Sequence, residues 1–174
     1  MARLRKFVCY RSTERPYTRF SKYKKLSYVR ARPSCRISRF TSGVQKDYDV
    51  NVHLVSKETL QVRDNSLESA RLAIVRILEK RIGKTGYFFQ ARVYPHHVLR
   101  ENPLASGAGA DRLSTGMAHS FGKPIGIAAQ VSKGQAVFSI NTTKANTNLA
   151  RAALKSASYK LPCGFSVVVR EKKK

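Results

Sequence analysis

The sequence predicts an α+β fold in which two helices pack on a mainly antiparallel sheet, with a basic N-terminal extension and a long glycine-rich loop. Three observations lead to this prediction. Apolar and polar residues alternate in several short segments, which is the period of half-buried strands. Two longer segments repeat apolar residues at helical spacing, and lysine and arginine are concentrated near the N-terminus.

The first strand and the first helix have the clearest patterns. Residues 48–54 alternate between apolar and polar side chains, so residues 48–55 predict a strand. Its apolar face comprises Tyr48, Val50, Val52 and Leu54. Residues 66–82 carry apolar side chains three or four positions apart and predict a helix, with Asn65 as its N-cap and Gly83 at its end.

A second strand follows the turn after the first helix. Residues 87–94 are aromatic and β-branched, and Pro95 ends the run because proline cannot donate to a sheet. Residues 98–100 are expected to continue the same sheet.

The C-terminal half predicts a hairpin, a helix and a final strand. Residues 125–131 and 136–142 are apolar and rich in β-formers, and the turn residues 133–135 between them favour a hairpin. Residues 147–159 have helical spacing, and residues 165–169 form a last apolar strand.

Charge divides the chain into an arm and a core. Of 174 residues, 34 are lysine or arginine and 10 are aspartate or glutamate, a net charge of +24. Residues 1–40 hold 13 of the basic residues and one acid, Glu14. We predict a basic arm over 1–43 that is disordered without RNA, and a core over 44–174 with a flexible loop over 102–123.

The composition of the arm indicates RNA as its partner. So high a charge repels itself, and a polyanion supplies the counter-charge. Aromatic rings stack on unpaired bases while lysine and arginine meet phosphates. The arm interleaves its charges with Phe7, Tyr10, Tyr17, Phe20, Tyr23, Tyr28 and Phe40. The alternative is a tail that only increases solubility. A membrane-binding helix is disfavoured by Pro16, by Pro33 and by the lack of an apolar stripe at helical spacing.

The loop over residues 101–126 is a candidate site, because long loops in compact domains are unusual unless they are functional or disordered. Its end approaches the nucleotide-binding pattern GxxxxGK[ST]. However, five residues separate Gly116 from Gly122, and Pro124 stands where the magnesium-binding serine or threonine belongs. The sequence therefore disfavours a nucleotide-hydrolysing enzyme.

No metal site, cofactor or catalytic set is predicted. Adjacent His96 and His97 point to opposite faces of a strand, which favours sheet or RNA contacts over metal binding. Asp111 and Arg112 are expected to form a local salt bridge. No apolar run is long enough to cross a membrane, and three widely spaced cysteines predict free thiols in an intracellular protein. These are Cys9, Cys35 and Cys163.

Several ordered motifs resemble one known family over nearly the whole chain. They are 9–11 (CYR), 15–19 (RPYTR), 67–71 (LESAR), 92–103 (RVYPHHVLRENP), 109–113 (GADRL), 116–117 (GM) and 121–126 (FGKPIG). Together they closely resemble the large-subunit ribosomal protein of the universal sixteenth family, in its archaeal and eukaryotic form.

The resemblance implies a non-enzymatic constituent of the large ribosomal subunit, in the cytoplasm, that binds large-subunit rRNA. It implies that the chain helps shape the aminoacyl-tRNA site near the peptidyl-transferase region. The implied partners are rRNA, tRNA in the A and P sites and neighbouring ribosomal proteins, with no membrane. The alternative is a free RNA-processing or nucleotide-binding enzyme that uses the glycine loop, which would need a carboxylate or metal constellation.

The predicted contact residues fall into two groups. Those expected to bind rRNA are Arg3, Arg5, Lys6, Arg11, Arg15, Arg19, Lys22, Lys24, Lys25, Arg30, Arg32, Arg36, Arg39, Arg92 and Arg100. Those expected in the loop near tRNA are Gly109, Asp111, Arg112, Gly116 and Lys123.

Overall fold

A computed structural model of the chain describes residues 5–102, 116 and 121–172, and it confirms the α+β fold. The strands are β1 (Thr41–Gly43), β2 (Val50–Ser56), β3 (Leu60–Arg63), β4 (Tyr87–Ala91), β5 (His97–Glu101), β6 (Lys123–Val131), β7 (Ala136–Thr142) and β8 (Phe165–Glu171). The helices are α1 (Asp64–Ile82) and α2 (Thr147–Ser158). The strands form a five-stranded sheet, ordered β1-β4-β7-β2-β8, and a three-stranded sheet, ordered β3-β6-β5, with all pairs antiparallel.

The core lies between the helices and one face of the five-stranded sheet. The predicted apolar face of β2 is confirmed, because Val50, Val52 and Leu54 are fully buried. The two helices pack against each other, and α2 also packs on β2. On the neighbouring strands the rings of Phe89 and Phe138 lie 5.5 Å apart. Among the described residues, no helix packs on the other face of the five-stranded sheet.

Helix α1 begins one residue before the predicted N-cap. Asp64 is the first helical residue, and its two carboxylate oxygens accept hydrogen bonds from the backbone N–H groups of Asn65 (2.8 Å) and Arg36 (3.1 Å). A carboxylate in the first turn satisfies a free donor and interacts favourably with the helix dipole. The predicted N-cap at Asn65 is wrong, because the N-cap residue is Arg63, which makes no side-chain cap hydrogen bond. The predicted end at Gly83 is confirmed, with φ of +80°.

The predicted hairpin over 125–131 and 136–142 is wrong, although both of its strands exist. Strand β6 pairs with β3 and β5, whereas β7 pairs with β2 and β4. The turn between them carries the chain from one sheet to the other. Ser56, at the end of β2, holds this turn through backbone hydrogen bonds with Gly134 (2.9 Å) and Gln135 (3.0 Å). The local turn residues favoured a hairpin, but long-range strand pairing decides which sheet each strand joins.

The strand expected to continue the sheet of β4 belongs to the other sheet. Strand β4 ends at Ala91, and the only described strand that pairs with β5 is β6. The buried Pro95 lies between the two strands, where its missing N–H interrupts the pairing.

The arm is held on the core, in contrast to the predicted disorder. Tyr10 packs with Leu99 and Ala128, and further along the chain Ile37 enters the main core. Tyr17 packs in a cluster with Val98 and Ile127. The arm shows no apolar period because each anchor meets a different part of the core.

The anchoring of the arm can be tested by comparing two truncations within it. Ile37 is 3% exposed, so Ile37→Ala is expected to lower the free energy of unfolding by about 3 kcal/mol through lost burial and a cavity. Leu26 is 88% exposed, and Leu26→Ala serves as the control, with a change of less than about 0.5 kcal/mol. Urea unfolding measures both, and equal values would mean that the arm is not packed on the core.

Candidate nucleic-acid interface

Residues 5–14 of the arm cover the outer face of the three-stranded sheet. Side chains on that face hold the arm backbone: Gln130 donates to the carbonyl oxygen of Glu14 at 2.8 Å, and Gln61 donates to that of Ser12. The guanidinium of Arg63 lies 5.9 Å from the centre of the Tyr10 ring, a cation–π distance. Side chains of the sheet thus hold this part of the arm through its backbone and the Tyr10 ring.

At Tyr17 the arm crosses the free edge of β5. The Val98 N–H donates to the carbonyl oxygen of Tyr17 at 3.2 Å, and the Tyr17 N–H donates to Nδ1 of His97 at 2.8 Å. The guanidinium of Arg100 stacks 3.5 Å from the centre of the Tyr17 ring. These contacts cover an edge strand that would otherwise expose unpaired backbone groups.

His97 serves as a neutral acceptor at this crossing. Burial lowers its pKa first, and the nearby His96 and Arg100 lower it further. The neutral ring leaves Nδ1 free to accept the hydrogen bond from Tyr17. His97 is thus a residue of β5 whose ring binds the backbone of the arm.

Beyond Tyr17 the arm forms an exposed loop whose aromatic side chains face solvent. A bridge between Arg19 and Tyr28 closes the loop. Phe20 and Tyr28 are more than half exposed, and Tyr23 is 86% exposed. By contrast Tyr10 and Tyr17 are buried, so they are protein anchors and not the base-stacking residues that the sequence suggested. Exposed rings beside cations are the expected arrangement for stacking on unpaired bases.

Most predicted rRNA contacts are exposed, and Arg3 lies outside the described residues. The exposed ones are Arg5, Lys6, Arg11, Arg15, Lys22, Lys24, Lys25, Arg30, Arg32, Arg36, Arg39 and Arg92. Arg19 and Arg100 are half-buried. Several of these cations are also engaged within the protein: Arg5 pairs with Glu101 at 2.7 Å, and Arg32 donates to the carbonyl oxygen of Pro95.

The base of the glycine-rich loop is formed by the paired ends of β5 and β6. Glu101 and Lys123 are partners in the β5–β6 register, and Arg100 donates to the carbonyl oxygen of Phe121 at 3.1 Å. Gly116 is exposed, whereas Gly109, Asp111 and Arg112 lie outside the described residues. A groove of about 300 Å³ lies between the arm and this base. The residues that line it include Tyr10, Glu14, Gln61, His97, Arg100, Glu101 and Phe121.

Gly122 is the residue that lets the two strand ends approach. Its φ is +74°, and a Cβ there would lie 3.0 Å from the backbone of Glu101. Gly134 has a similar φ of +81° but nothing within 4 Å of a Cβ. Gly134→Ala is expected to cost about 1 kcal/mol of unfolding free energy for its strained φ alone. Gly122→Ala is expected to cost about 1–2 kcal/mol more, because the methyl group also meets backbone. Urea unfolding of both variants gives the difference, and a difference near zero would contradict the close approach.

The arrangement around Lys123 does not form a nucleotide-binding loop. Lys123 is the first residue of β6, in register with an acidic residue, instead of standing at a helix N-terminus. Among the described residues, no three of histidine, cysteine, aspartate and glutamate are grouped closely enough to hold a metal ion. Over the same residues, neither helix has the length and apolar character needed to span a membrane.

Comparison with known proteins identifies the class of protein to which this fold and this basic surface belong. Residues 15–168 match the family model described as Ribosomal protein L16p/L10e. A protein of Methanococcus aeolicus named large ribosomal subunit protein uL16 is 44% identical over 95% of this chain and 94% of its own length. Proteins of the same name from Methanocella arvoryzae and Archaeoglobus fulgidus are 43% and 39% identical over 92% and 93% of this chain, and the alignments cover 95% and 90% of their own lengths.

The chain belongs to the L16p/L10e family of ribosomal proteins, as the resemblance of its motifs implied. It is a structural constituent of the large subunit of the cytoplasmic ribosome. The alternative of a free enzyme that uses the glycine loop is therefore wrong.

Proposed function

We propose that the chain binds large-subunit rRNA through the arm over residues 1–43, and that the core over 44–174 positions this RNA around a tRNA site. The observation that carries the proposal is the exposed loop at residues 20–28, where exposed cations alternate with exposed aromatic rings. No acidic residue occurs between Glu14 and Asp47, so this surface attracts phosphate along its whole length.

The anchors of the arm support a positional role. Three buried side chains and a set of side-chain-to-backbone hydrogen bonds fix the arm on the core, so its cations keep defined positions on the protein surface. Phosphate contacts fix the register and orientation of a protein on a nucleic acid. A preformed basic surface therefore holds rRNA in one place relative to the core.

The glycine-rich loop is proposed to reach tRNA in the A and P sites. Two contacts hold its base: Arg100 donates a hydrogen bond to the carbonyl oxygen of Phe121, and it stacks on Tyr17, which also anchors the arm. Strands β5 and β6 therefore hold both the arm and the base of the loop. In this arrangement rRNA bound to the arm sets the position from which the loop extends.

Selective rRNA binding is the test of the proposal. The purified chain is expected to bind a transcript of large-subunit rRNA more tightly than small-subunit rRNA at the same salt concentration. The chain is also expected to co-sediment with large subunits after a high-salt wash. Equal affinity for both transcripts, together with loss of the chain in the wash, would show that the binding is charge attraction without a defined site.

A further inference from the structure

The face of the five-stranded sheet that no helix of the described residues covers carries a pocket of about 280 Å³. It lies where β8, β2 and β7 run side by side, and Arg92 reaches it from the end of β4. The residues that line it are His53, Val55, Arg92, Gly134, Ala136, Val168 and Arg170. We call it the His53 pocket. The arm and the glycine-rich loop contribute no described residue to this lining.

A buried serine organises the polar groups of the pocket. Ser139 is 2% exposed, and its Oγ accepts a hydrogen bond from Nε of Arg92 at 2.6 Å. The same Oγ lies 2.8 Å from Nδ1 of His53, so the serine proton can be donated to the ring. In that arrangement Nε2 of His53 carries the N–H and is left as a donor. The serine thus fixes both side chains before any ligand arrives.

The pocket is positively charged and has unused hydrogen-bonding groups. Neither Arg92 nor Arg170 forms an ion pair with any described residue. Burial lowers the pKa of His53, and the charges of Arg92 and Arg170 lower it further. Beside Arg170 in the sheet register, Oδ1 of Asn51 is buried without a hydrogen-bond partner.

We propose that the His53 pocket binds a phosphodiester group of RNA, as a contact site separate from the arm. Two guanidinium groups and an imidazole line the pocket, and their N–H groups can donate hydrogen bonds to phosphate oxygens. The rest of this sheet face favours RNA over an acidic peptide, because Asn51, Asn141 and the half-buried ring of Phe88 offer partners for ribose and base. The proposal rests on the proposed rRNA-binding function.

Removing one charge from the pocket tests the contact. Arg170 is the choice, since it forms no side-chain hydrogen bond with another described residue. For binding to large-subunit rRNA, Arg170→Gln is expected to reduce the steepness of the plot of log K against log salt concentration by about 0.7–0.9. This corresponds to about a fivefold loss of affinity at 0.15 M salt. Arg151→Gln on the exposed side of α2 removes the same charge and is expected to change neither quantity.

The pKa of His53, measured by NMR of its ring, provides a second readout. A change in the net charge of the protein alone is not expected to shift it. A phosphate in the pocket favours the imidazolium, so the pKa of His53 is expected to rise when full-length protein binds the rRNA transcript. Poly-glutamate at equal charge is expected to leave it unchanged. A rise with poly-glutamate but not with RNA would overturn the proposal in favour of a protein partner.

The outcomes separate this proposal from the proposed function. If the wild-type chain binds rRNA, while Arg170→Gln matches Arg151→Gln and the pKa of His53 does not move, the pocket proposal fails alone. If the wild-type chain shows no selective rRNA binding, both fail.

Discussion

Replacing six exposed cations of the arm by glutamine is expected to flatten the plot of log K against log salt for rRNA binding by about 4. Each phosphate contact with single-stranded RNA contributes about 0.7 to that slope, because the bound cation releases a counterion. At 0.15 M salt the affinity is expected to fall on the order of a thousandfold. The six residues are Arg15, Lys22, Lys24, Lys25, Arg30 and Arg39.

Substitution is a sharper test than deletion of the arm. Removing residues 1–40 would also flatten the slope, but it would take away the buried side chains of Tyr10, Tyr17 and Ile37 and expose the core. The six chosen side chains form no ion pair with a described residue, so glutamine should leave the fold intact.

A matched control removes the same charge from the helical side of the molecule. Six exposed cations on α1, on α2 and just after α2 are replaced by glutamine: Arg76, Lys80, Arg81, Arg151, Lys155 and Lys160. If net charge alone attracts rRNA, both variants lose equal slope, which would contradict an arm-based interface. Filter binding at several salt concentrations, with thermal unfolding to confirm the fold, gives the comparison.

The strands and helices of the core could be predicted because burial on one face leaves a period in the sequence. Residues 48–55 and 66–82 show it clearly, and both elements are found within two residues of their predicted bounds. Which strands pair is a different matter. Strand β6 is buried on both faces, and Ile127, Ala128 and Ala129 are almost inaccessible to solvent. Its sequence therefore indicates a strand but not which strands pair with it.

The candidate site was predictable in its charge but not in its geometry. Composition places the cations in the arm, and most of them are indeed exposed. The stacking of Arg100 on Tyr17 depends on the arm crossing the edge of β5, and residues far apart in sequence leave no local signal for such a contact. The His53 pocket was missed for a similar reason: the alternation put His53 on the polar face of its strand, but β8 had to be placed beside β2 to bring Arg170 near.

Deleting residues 105–118 is expected to leave rRNA binding nearly unchanged while it slows peptidyl transfer or weakens tRNA binding by at least about tenfold, equivalent to about 1.4 kcal/mol. The deleted segment contains one acid and one base, Asp111 and Arg112, so the net charge stays the same. The base of the loop also stays, because Glu101 and Lys123 are already paired and Arg100 holds Phe121. A short connection can therefore join the strands without moving the arm.

The measurement uses large subunits reconstituted with the shortened chain at confirmed full occupancy, assayed for tRNA binding and peptidyl transfer side by side. A loop of unchanged length with Asp111→Asn and Arg112→Gln separates the reach of the loop from its charges. If reach is what matters, this variant stays close to the wild-type rates, since glycine-rich backbone can approach RNA without side chains. Wild-type rates for the shortened chain would refute a role of the loop at the tRNA site while leaving rRNA binding by the arm in place.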